Sequence, residues 1–598
     1  MLRGGGQTVK RVGKARLASK RFASHSAQRT RPSSQRRLAV TSVVAVALAS
    51  SLLYAGQHTV YLDAPADAGK ESKSNTKKTA ATVVKGETLG SLAWGSNKNH
   101  VLSPDSQTPE TLRTPTNIEW LQSIALRDLA LHNEHAVCID AKGDVYQWGD
   151  GFFGEASSPG KPLLTLRGKN IVALQATASR VFALSASGRI YVLSSSLPKQ
   201  NLPAGTPTPS SAPWWGTGWI WGEEEDHDFA EVTSNEKLAW GEKFVSISAG
   251  NNHLLALTSS GRTFAHPINL NANSHGQMGS RKFDVPNHSS ITHPHARRPL
   301  ELTPKAVADP YAKSTPAIRR TSTSDAPPSN DGVASFDDSS IHFSDRLFEI
   351  PALRGIQVEK IVAGGRSSFV KTSQGRVIGW GANEFGQIGL GGNVTLDVIT
   401  VPTEVILWKN TPAAMRTTCL DVYAGGDLTF FKVERSDGTA IPYIDVLACG
   451  NGQWGGLGNA LFSNSQGTPL RTKNVSGLLE YSEQTNNLQP IHPHDISISP
   501  SGHVLLTLET LARSGPGGGG RDLLTWGANQ DYQLGNGKRG SLASPTALED
   551  AEGQRFMLRK KRADVRDLSG RLWKRGVEVE QRALSGYGNS VVYWRICS

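Results

Sequence analysis

Methionine and cysteine are scarce in this chain of 598 residues, which contains 4 of each. The cysteines, Cys138, Cys419, Cys449 and Cys597, form no C-x-x-C pair and show no spacing typical of metal ligands. Cys138 and Cys449 fall on predicted strands, where a small buried thiol is the usual state. A disulfide between Cys419 and Cys449 stays open as an alternative. This pattern excludes a cysteine-based zinc module.

Acidic residues are absent from the first 62 positions, where eleven Lys and Arg residues lie between Arg3 and Arg37. The formal net charge of +12 therefore comes almost entirely from this segment, and the remainder of the chain is nearly neutral. A domain that binds phosphate backbones usually carries its positive excess on the folded part. We interpret the charge as a targeting signal and expect no nucleic acid partner.

A catalytic constellation is also missing, since no nucleophile, base and orienting residue can be combined from the sequence. Gly450 to Gly455 match G-x-G-x-x-G, but the following GLGNALFSNSQGTP is not an amphipathic helix that would present its N terminus to a pyrophosphate. Histidines at positions 288, 293, 295, 492 and 494 lie in Pro-rich segments, and no cluster of acidic residues accompanies them. We therefore predict a protein that is not an enzyme, with no catalytic residue, cofactor or metal.

The N-terminal segment, residues 1–37, has the composition of a mitochondrial presequence, with Arg among Ser and Ala. The alternative is a disordered basic tail. Residues 38–56, LAVTSVVAVALASSLLYAG, carry no charge and are long enough to cross about 30 Å of hydrocarbon as a helix. A signal-peptide core or a cleaved sorting segment remains the alternative. We predict a single N-terminal transmembrane helix in the mitochondrial inner membrane, followed by a linker over 57–90.

The charges that flank this predicted span indicate its orientation. Its N-terminal side is purely basic, whereas Asp63, Asp67 and Glu71 are mixed with lysines on the other side. Excess Lys and Arg remain on the side from which a helix is inserted. This predicts that the large C-terminal domain faces the intermembrane space.

Glycine is abundant, with 61 residues, and only 19% of the chain is charged, which favours a turn-rich all-β fold. One pattern recurs: an apolar strand, a small-residue turn, a second apolar strand, a Gly turn, and a strand ending in Trp-Gly. The clearest copy is VEKIVAGGRSSFVKTSQGRVIGWGANEFGQIGLG, from Val358 to Gly391. Such short strands are not stable alone, so neighbouring copies must bury one another's faces.

The two halves of the pattern are out of step along the chain. First halves begin near residues 129, 171, 245, 359, 421, 496 and 583, and second halves near 92, 146, 191, 263, 378, 447 and 524. The chain opens with an unpaired second half at Leu92 and closes with an unpaired first half at Arg582. We predict that these ends pair and close a ring, which removes exposed strand edges. The predicted fold is an all-β, seven-bladed β-propeller over 91–598.

The segments AGGRSSFVKTSQGRVIGWGANEFGQIGLG and LLTWGANQDYQLGNG resemble the repeats of the regulator-of-chromosome-condensation family, over about Leu92 to Ile596. Presequence, span and repeats together are similar to a fungal mitochondrial inner-membrane member that is implicated in assembly of the cytochrome bc1 complex, complex III. The repeats are specific for the fold and not for the function. Members of the family serve in guanine-nucleotide exchange, ubiquitin ligase regulation and mitochondrial RNA assembly.

Three predicted insertions carry the candidate binding residues. The insertion at about 198–228 contains four indoles that can form a docking surface: Trp214, Trp215, Trp219 and Trp221. The alternative is that GWIWG supplies an outer strand with its rings packed between blades. The insertion at about 269–346 is rich in Ser, Pro and His, and its low apolar content predicts disorder.

The third insertion, at about 555–582, is basic and interleaved with apolar residues. Its candidate contacts to anionic lipid, an acidic protein or RNA are Arg559, Lys560, Lys561, Arg562, Lys574 and Arg575. The alternative is a solvated connecting helix.

These observations favour a non-catalytic scaffold that binds a subunit or an assembly intermediate of a respiratory complex near the inner membrane. The assignment to complex III is implied only by the family resemblance. Two alternatives are a guanine-nucleotide exchange factor for a small GTPase, for which no matching wedge is found, and a matrix ribosome or RNA assembly factor.

Overall fold

A computed structural model of the chain describes residues 89–105, 107–154, 160–201, 227–287, 296–308, 337–409, 411–438, 441–510, 520–549 and 553–597. They belong to one unit, Lys85–Ser598. The predicted presequence and the predicted span at 38–56 lie outside the described residues. Within the described ranges, no helix is long and apolar enough to cross a membrane.

Strands dominate the described part of the chain. The first are β1 (Leu92–Ser96), β2 (Thr111–Asn117), β3 (Asp128–Leu131), β4 (Ala136–Ile139), β5 (Val145–Trp148), β6 (Leu163–Leu166), β7 (Ile171–Ala176), β8 (Arg180–Ser185), β9 (Ile190–Ser194), β10 (Ala230–Ser234), β11 (Phe244–Ala249), β12 (His253–Thr258), β13 (Thr263–Pro267), β14 (Lys282–Pro286), β15 (Arg297–Glu301) and β16 (Arg346–Glu349). They are followed by β17 (Val358–Ala363), β18 (Ser367–Thr372), β19 (Val377–Ala382), β20 (Val398–Val405), β21 (Arg416–Gly425), β22 (Leu428–Ser436), β23 (Tyr443–Gly452), β24 (Ser463–Arg471), β25 (Leu479–Ser482), β26 (Asn487–Pro490), β27 (His492–Ile498), β28 (His503–Glu509), β29 (Gly520–Gly527), β30 (Leu542–Ala547), β31 (Met557–Arg566), β32 (Leu572–Ser585) and β33 (Asn589–Ile596).

Helical segments in the described ranges are short. They are α1 (Asp150–Phe153), α2 (Lys305–Ala308) and three 3-10 turns at Glu119–Leu121, Leu197–Lys199 and Pro351–Leu353.

The strands form antiparallel four-stranded units. Three units are separate sheets, in the orders β3-β4-β5-β6, β17-β18-β19-β20 and β21-β22-β23-β24. Two others, β7 to β10 and β11-β12-β13-β16, are joined because β10 pairs with β16 in parallel. In the remaining large sheet, β27 to β30 are joined through β31 to the order β32-β33-β1-β2. The fold is all-β, as the repeats predicted.

The two ends of the repeat region pair with each other. Strand β1 runs antiparallel to β33, with Leu92 opposite Val592 and Trp94 opposite Ser590. The predicted pairing of the unpaired halves is therefore confirmed, and one four-stranded unit combines residues from both ends of the described chain.

The first strands of successive units contact one another in chain order and return to the start. The unit of β21 is linked to β27 from its second strand, β22, by Lys432 Nζ to Pro493 O at 2.7 Å. The other linking contacts join first strands: Leu174 N to Asp128 Oδ2 at 2.9 Å, Ala249 N to Gln175 Oε1 at 3.0 Å, Ala363 N to Ser248 Oγ at 2.9 Å, Lys360 Nζ to Asp421 Oδ1 at 2.5 Å, Ser585 N to Ser497 Oγ at 2.9 Å and Arg582 Nη1 to Asp128 Oδ1 at 3.7 Å. The last contact joins β32 to β3 and completes the succession.

The units present two opposite edges. We call the loop face the edge with the first-to-second strand turns, such as 363–367, and the third-to-fourth strand connections, such as 453–462. We call the turn face the edge with the second-to-third strand turns, such as 372–376, and the connections to the next unit, such as 406–415. Turns of successive units meet on each face: Gly365 N donates to Gly426 O at 2.8 Å on the loop face, and Cys419 N to Gly375 O at 3.1 Å on the turn face.

Four Trp-Gly pairs join neighbouring units. The four indoles are fully buried, and each Nε1 donates to a backbone carbonyl of the preceding unit: Trp94 to Gln533 at 2.8 Å, Trp148 to Val101 at 2.9 Å, Trp380 to Gln277 at 2.9 Å and Trp526 to Gly456 at 2.8 Å. The following glycine lets two backbones approach. Gly527 has a φ of 96°, and a Cβ there would lie 2.3 Å from Gly502 O.

Part of the predicted disordered insertion at 269–346 is ordered. Strands β14 and β15 form a hairpin whose buried side chains are Phe283, Val285, Leu300 and Leu302. Arg297 ties this hairpin to the following segment through an ion pair with Asp345 at 2.9 Å. The prediction of disorder is wrong for 282–286 and 297–301, because four apolar side chains on one face are enough to attach a short hairpin to the core.

The alternative of a connecting helix at 555–582 is also wrong. Strands β31 and β32 form a long hairpin in which Lys560 lies opposite Glu580 and Ala563 opposite Val577. Val565 on β31 and Val579 on β32 are buried. The alternation of exposed basic residues with buried small or apolar ones has the period of a strand and not of a helix.

We predict that Trp526→Phe lowers the free energy of unfolding by about 1–3 kcal/mol, because the buried Gly456 carbonyl loses the hydrogen bond from the indole. Urea unfolding of the full chain measures this change. The matched control is Trp240→Phe, since Trp240 is fully exposed at 103% of its reference area. Equal effects of the two substitutions would contradict the stabilising role of the indole hydrogen bond.

Candidate interaction surface

The connection between β23 and β24, residues 453–462, presents an exposed apolar surface on the loop face. Trp454 is 42% exposed, and Leu461 and Phe462 are each 60% exposed. We call these residues the Trp454 loop. Large apolar side chains clustered at the surface of a soluble domain are typical of interaction sites.

The backbone of the Trp454 loop is fixed by the neighbouring unit. The indole of Trp526 donates to Gly456 O at 2.8 Å, and Ala460 N donates to Ala543 O at 2.8 Å. Within the loop, the Asn459 side chain accepts from Leu461 N at 3.0 Å. The three exposed side chains therefore stand on a preorganised backbone, which reduces the entropy lost when a partner binds.

A charged cluster on the same face joins three units. Arg366 donates to both carboxylate oxygens of Glu384, at 3.1 and 2.8 Å, and to Asp427 Oδ1 at 3.3 Å. His275 Nε2 lies 3.3 Å from Glu384 Oε1. Burial acts to lower the pKa of Arg366, but hydrogen bonds to Glu384 and the charge of Asp427 raise it. The cluster is internally satisfied, and we interpret it as a clamp between units.

The predicted binding residues Trp214, Trp215, Trp219 and Trp221 lie outside the described residues. Their insertion leaves the described part at Asn201 and returns at His227, where the two residues form an isolated antiparallel bridge.

The six predicted basic contacts lie on the β31–β32 hairpin in two groups. Arg559 to Arg562 lie near its base, where Lys560 pairs with Glu578 and the Lys561 ammonium is 5.0 Å from the Trp594 ring centroid. Lys574 and Arg575 lie near its turn and are exposed. Because Val565 pairs with Lys574, the centres of the two groups are about 14 Å apart along the strand. The structure does not bring the six residues together.

The other sequence motifs have ordinary structural surroundings. Gly450 to Gly455 end strand β23 and enter turns, and no helix follows them before β24. All four cysteines are free, so the alternative of a Cys419–Cys449 disulfide is wrong. His288, His293 and His295 lie outside the described residues. In the described ranges, no three His, Cys, Asp or Glu side chains are placed to hold a metal ion.

Sequence reasoning missed the Trp454 loop. Trp454 was hidden inside the G-x-G-x-x-G match, and Leu461 and Phe462 follow directly in GNALFS. A signal was available in the repeat pattern, which places these residues in a connection between the third and fourth strands of a unit. Such a connection lies at the surface, so large apolar side chains in it are expected to be exposed.

Buried histidines recur near the edges of the units. Burial lowers the pKa of His135 and of His503 to about 3, and the pKa of His253 and of His266 to about 4. His253 and His503 take the same place in their units, opposite the last residue of the third strand. Their Nε2 atoms contact Ser368 Oγ at 2.9 Å and Ser590 Oγ at 3.1 Å in the next unit. These neutral imidazoles join neighbouring units.

The repeated units, the indole hydrogen bonds and the paired ends define the class of the protein. Models of the regulator of chromosome condensation (RCC1) repeat match it at residues 358–387, and at 374–431 and 522–559. These matches show RCC1 repeats in the chain, as the sequence resemblance implied.

The chain is similar to one mitochondrial protein in particular. It is 22% identical over 475 residues to Protein FMP25, mitochondrial, of Saccharomyces cerevisiae, and the match covers 77% of this chain and 65% of that protein. The chain thus spans slightly less than two thirds of that relative. This similarity supports a mitochondrial RCC1-like protein.

Two solved structures are also similar. One is a chain in the crystal structure of Kap60 bound to yeast RCC1 (Prp20), with a TM-score of 0.50, 15% identity, and coverage of 89% of this chain and 97% of that chain. The other is human WBSCR16, with a TM-score of 0.49, 14% identity, and coverage of 85% and 100%. At this identity, the likeness to yeast RCC1 shows the propeller fold alone.

We predict that the protein loses stability as the pH falls below about 6.5. Unfolded histidines bind protons near that pH, whereas His135, His253, His266 and His503 stay neutral in the folded state to about pH 3–4. Each histidine is expected to contribute about 1.4 kcal/mol of destabilisation between pH 7.5 and 5.5. Urea unfolding at both pH values measures the difference, and His503→Gln is expected to reduce it by about 1.4 kcal/mol. An unchanged difference in this variant would contradict the assignment.

Proposed function

We propose that the chain is a non-catalytic scaffold and assembly factor for respiratory chain complex III at the mitochondrial inner membrane. In this proposal, residues 1–37 are the presequence, residues 38–56 form a single-pass helix, and the C-terminal domain lies in the intermembrane space. The domain is a closed ring of seven blades.

Two observations support the closed ring. The first strands contact one another in succession, and Arg582 links the last of them back to Asp128 on the first. The pairing of β1 with β33 completes a four-stranded unit from two ends of the chain. Ring closure leaves only short, protected strand edges.

The Trp454 loop is the observation that carries the scaffold proposal. Its three exposed apolar side chains stand on a backbone fixed by the Trp526 indole. Aromatic and aliphatic anchors on a rigid backbone are the usual centre of a protein interface. A surface of this kind suits a subunit or an assembly intermediate of a respiratory complex better than a nucleic acid.

Mitochondrial location is supported by the similarity to FMP25, and the link to complex III comes from the family resemblance alone. The exchange-factor alternative is not favoured, because the similarity to yeast RCC1 is a similarity of fold. The matrix ribosome alternative is tested together with the orientation of the domain.

We predict that combined Trp454→Ser, Leu461→Ser and Phe462→Ser substitutions lower the amount of assembled complex III several-fold. The reason is that a polar loop no longer offers a desolvated anchor to the partner. Native gels and ubiquinol–cytochrome c reductase activity in cells that carry only the variant measure the effect. Val401→Ser is the matched control, because Val401 is 61% exposed on the outer strand β20. Normal assembly with the triple variant at normal protein level would reject this site.

Protease protection tests the orientation of the domain. With a tag after Ser598, we expect digestion of the tagged domain in mitochondria whose outer membrane has been ruptured by swelling. Protection of the tag, with rupture proven by digestion of a soluble intermembrane-space marker, would place the domain in the matrix. It would then favour the ribosome or RNA assembly alternative.

A further inference from the structure

The turn face carries a second set of exposed apolar side chains, distinct from the Trp454 loop on the opposite face. They stand on connections of three different units and on the β31–β32 hairpin: Trp240, Ile406, Trp408, Tyr481, Leu488 and Leu572. Two of them are tryptophans and one is a tyrosine, the residues that collect at the boundary between water and hydrocarbon.

Trp240 is held out into solvent by a fixed turn. Glu242 N donates to Ala239 O at 3.0 Å, while the Glu242 side chain accepts from Ala239 N at 2.8 Å and from Arg262 at 3.3 Å. Burial acts to raise the pKa of Glu242, but hydrogen bonds, led by that from Ser260, lower it to about 2. The carboxylate is therefore ionised at physiological pH and accepts the hydrogen bonds that fix the turn. The ring of Trp240 is nevertheless fully exposed. A rigid turn that presents an unpacked indole suits an external apolar medium.

Basic residues accompany the apolar side chains on this face. Lys237 and Lys243 flank Trp240, Lys409 follows Trp408, and Lys574 and Arg575 follow Leu572. All five are exposed. An aromatic ring next to a lysine matches the chemistry of an anionic membrane surface, where the ring enters the headgroup layer and the ammonium meets phosphate.

The first described residues of the chain lie at the same face. Strand β1 begins on the turn-face side of this pairing, since Gly95 lies opposite Asn589, the first residue of β33, and Leu92 lies opposite Val592, further toward the turn face. Gly90 is fixed there by the Trp594 indole, which donates to Gly90 O at 2.9 Å, and Leu89 O accepts from Ser123 N at 2.8 Å. The first described residues, Leu89 and Gly90, therefore lie at the edge that carries the aromatic residues.

We propose that the turn face lies on an anionic lipid bilayer, with Trp240, Trp408 and Tyr481 entering the headgroup layer. The proposal rests on the membrane association proposed above, and it leaves the loop face, with the Trp454 loop, directed away from the lipid. A second copy of the chain or another protein on the turn face is the competing outcome. The spread of the aromatic residues over three units, each beside polar surface, favours a flat bilayer over a single protein contact.

Photo-crosslinking of the full chain in vesicles tests the proposal. A benzophenone side chain is placed at position 240, 408 or 481, with position 454 as the matched control on the loop face. The vesicles contain phosphatidylcholine with or without a minority of cardiolipin. We expect several-fold more lipid adduct at the three turn-face positions than at 454, and a further increase with cardiolipin that falls at high salt.

The outcomes separate this proposal from that of the membrane span. If the chain floats with the vesicles even after alkaline extraction, it contains a membrane span. The pattern of lipid adducts shows which face of the domain contacts the lipid. Equal lipid adducts at 240 and 454, or adducts at 240 to a second copy of the chain, would overturn the docking proposal while the span stands. A chain that neither floats nor forms lipid adducts would overturn both. Lys237→Glu with Lys409→Glu is expected to lower the adduct yield at 240 several-fold, and an unchanged yield would reject the anionic lipid.

Discussion

The hydrogen bond from a buried indole to a carbonyl of the neighbouring unit is the interaction on which the architecture depends. A four-stranded sheet of this size cannot cover both of its faces, so each unit needs its neighbours. Trp94, Trp148, Trp380 and Trp526 fill the space between units and also satisfy a buried carbonyl. One residue thereby combines apolar burial with a directional contact that sets how two units meet.

Buried polar groups also connect neighbouring units. Buried imidazoles such as His253 and His503 contact serines of the next unit, and the Arg366 cluster bridges three units on the loop face. Each contact crosses a boundary between units and does not stabilise one sheet alone. The stability of each unit therefore depends on its neighbours, and the backbones of the surface loops are fixed by hydrogen bonds from neighbouring units. The Trp454 loop is an example, because its backbone is held by a tryptophan of the following unit.

Much of the fold was accessible from the sequence because it repeats. The Trp-Gly pairs, the glycine turns and the offset of the two half-patterns led to the all-β fold and to the pairing of Leu92 with the C-terminal strand. Departures from the repeat were harder to predict. The hairpin of β14 and β15 depends on four apolar side chains diluted in a long polar segment, and the β31–β32 hairpin was obscured by its lysines and arginines. The Trp454 loop needed the fold itself, since exposure is a property of position and not of residue type.

The pairing of β1 with β33 also determines when the ring can form. The Trp594 indole and the Gly90 carbonyl that it contacts are 504 residues apart in the chain. A nascent chain can pair β1 with β2 early, but the opposite edge of β1 stays open until β33 has been delivered. Contacts between such distant residues form slowly, and an open strand edge is prone to pair with other chains meanwhile. Folding of this protein thus includes an interval in which the chain is prone to mispairing, and this interval ends only when the C-terminal strand is in place.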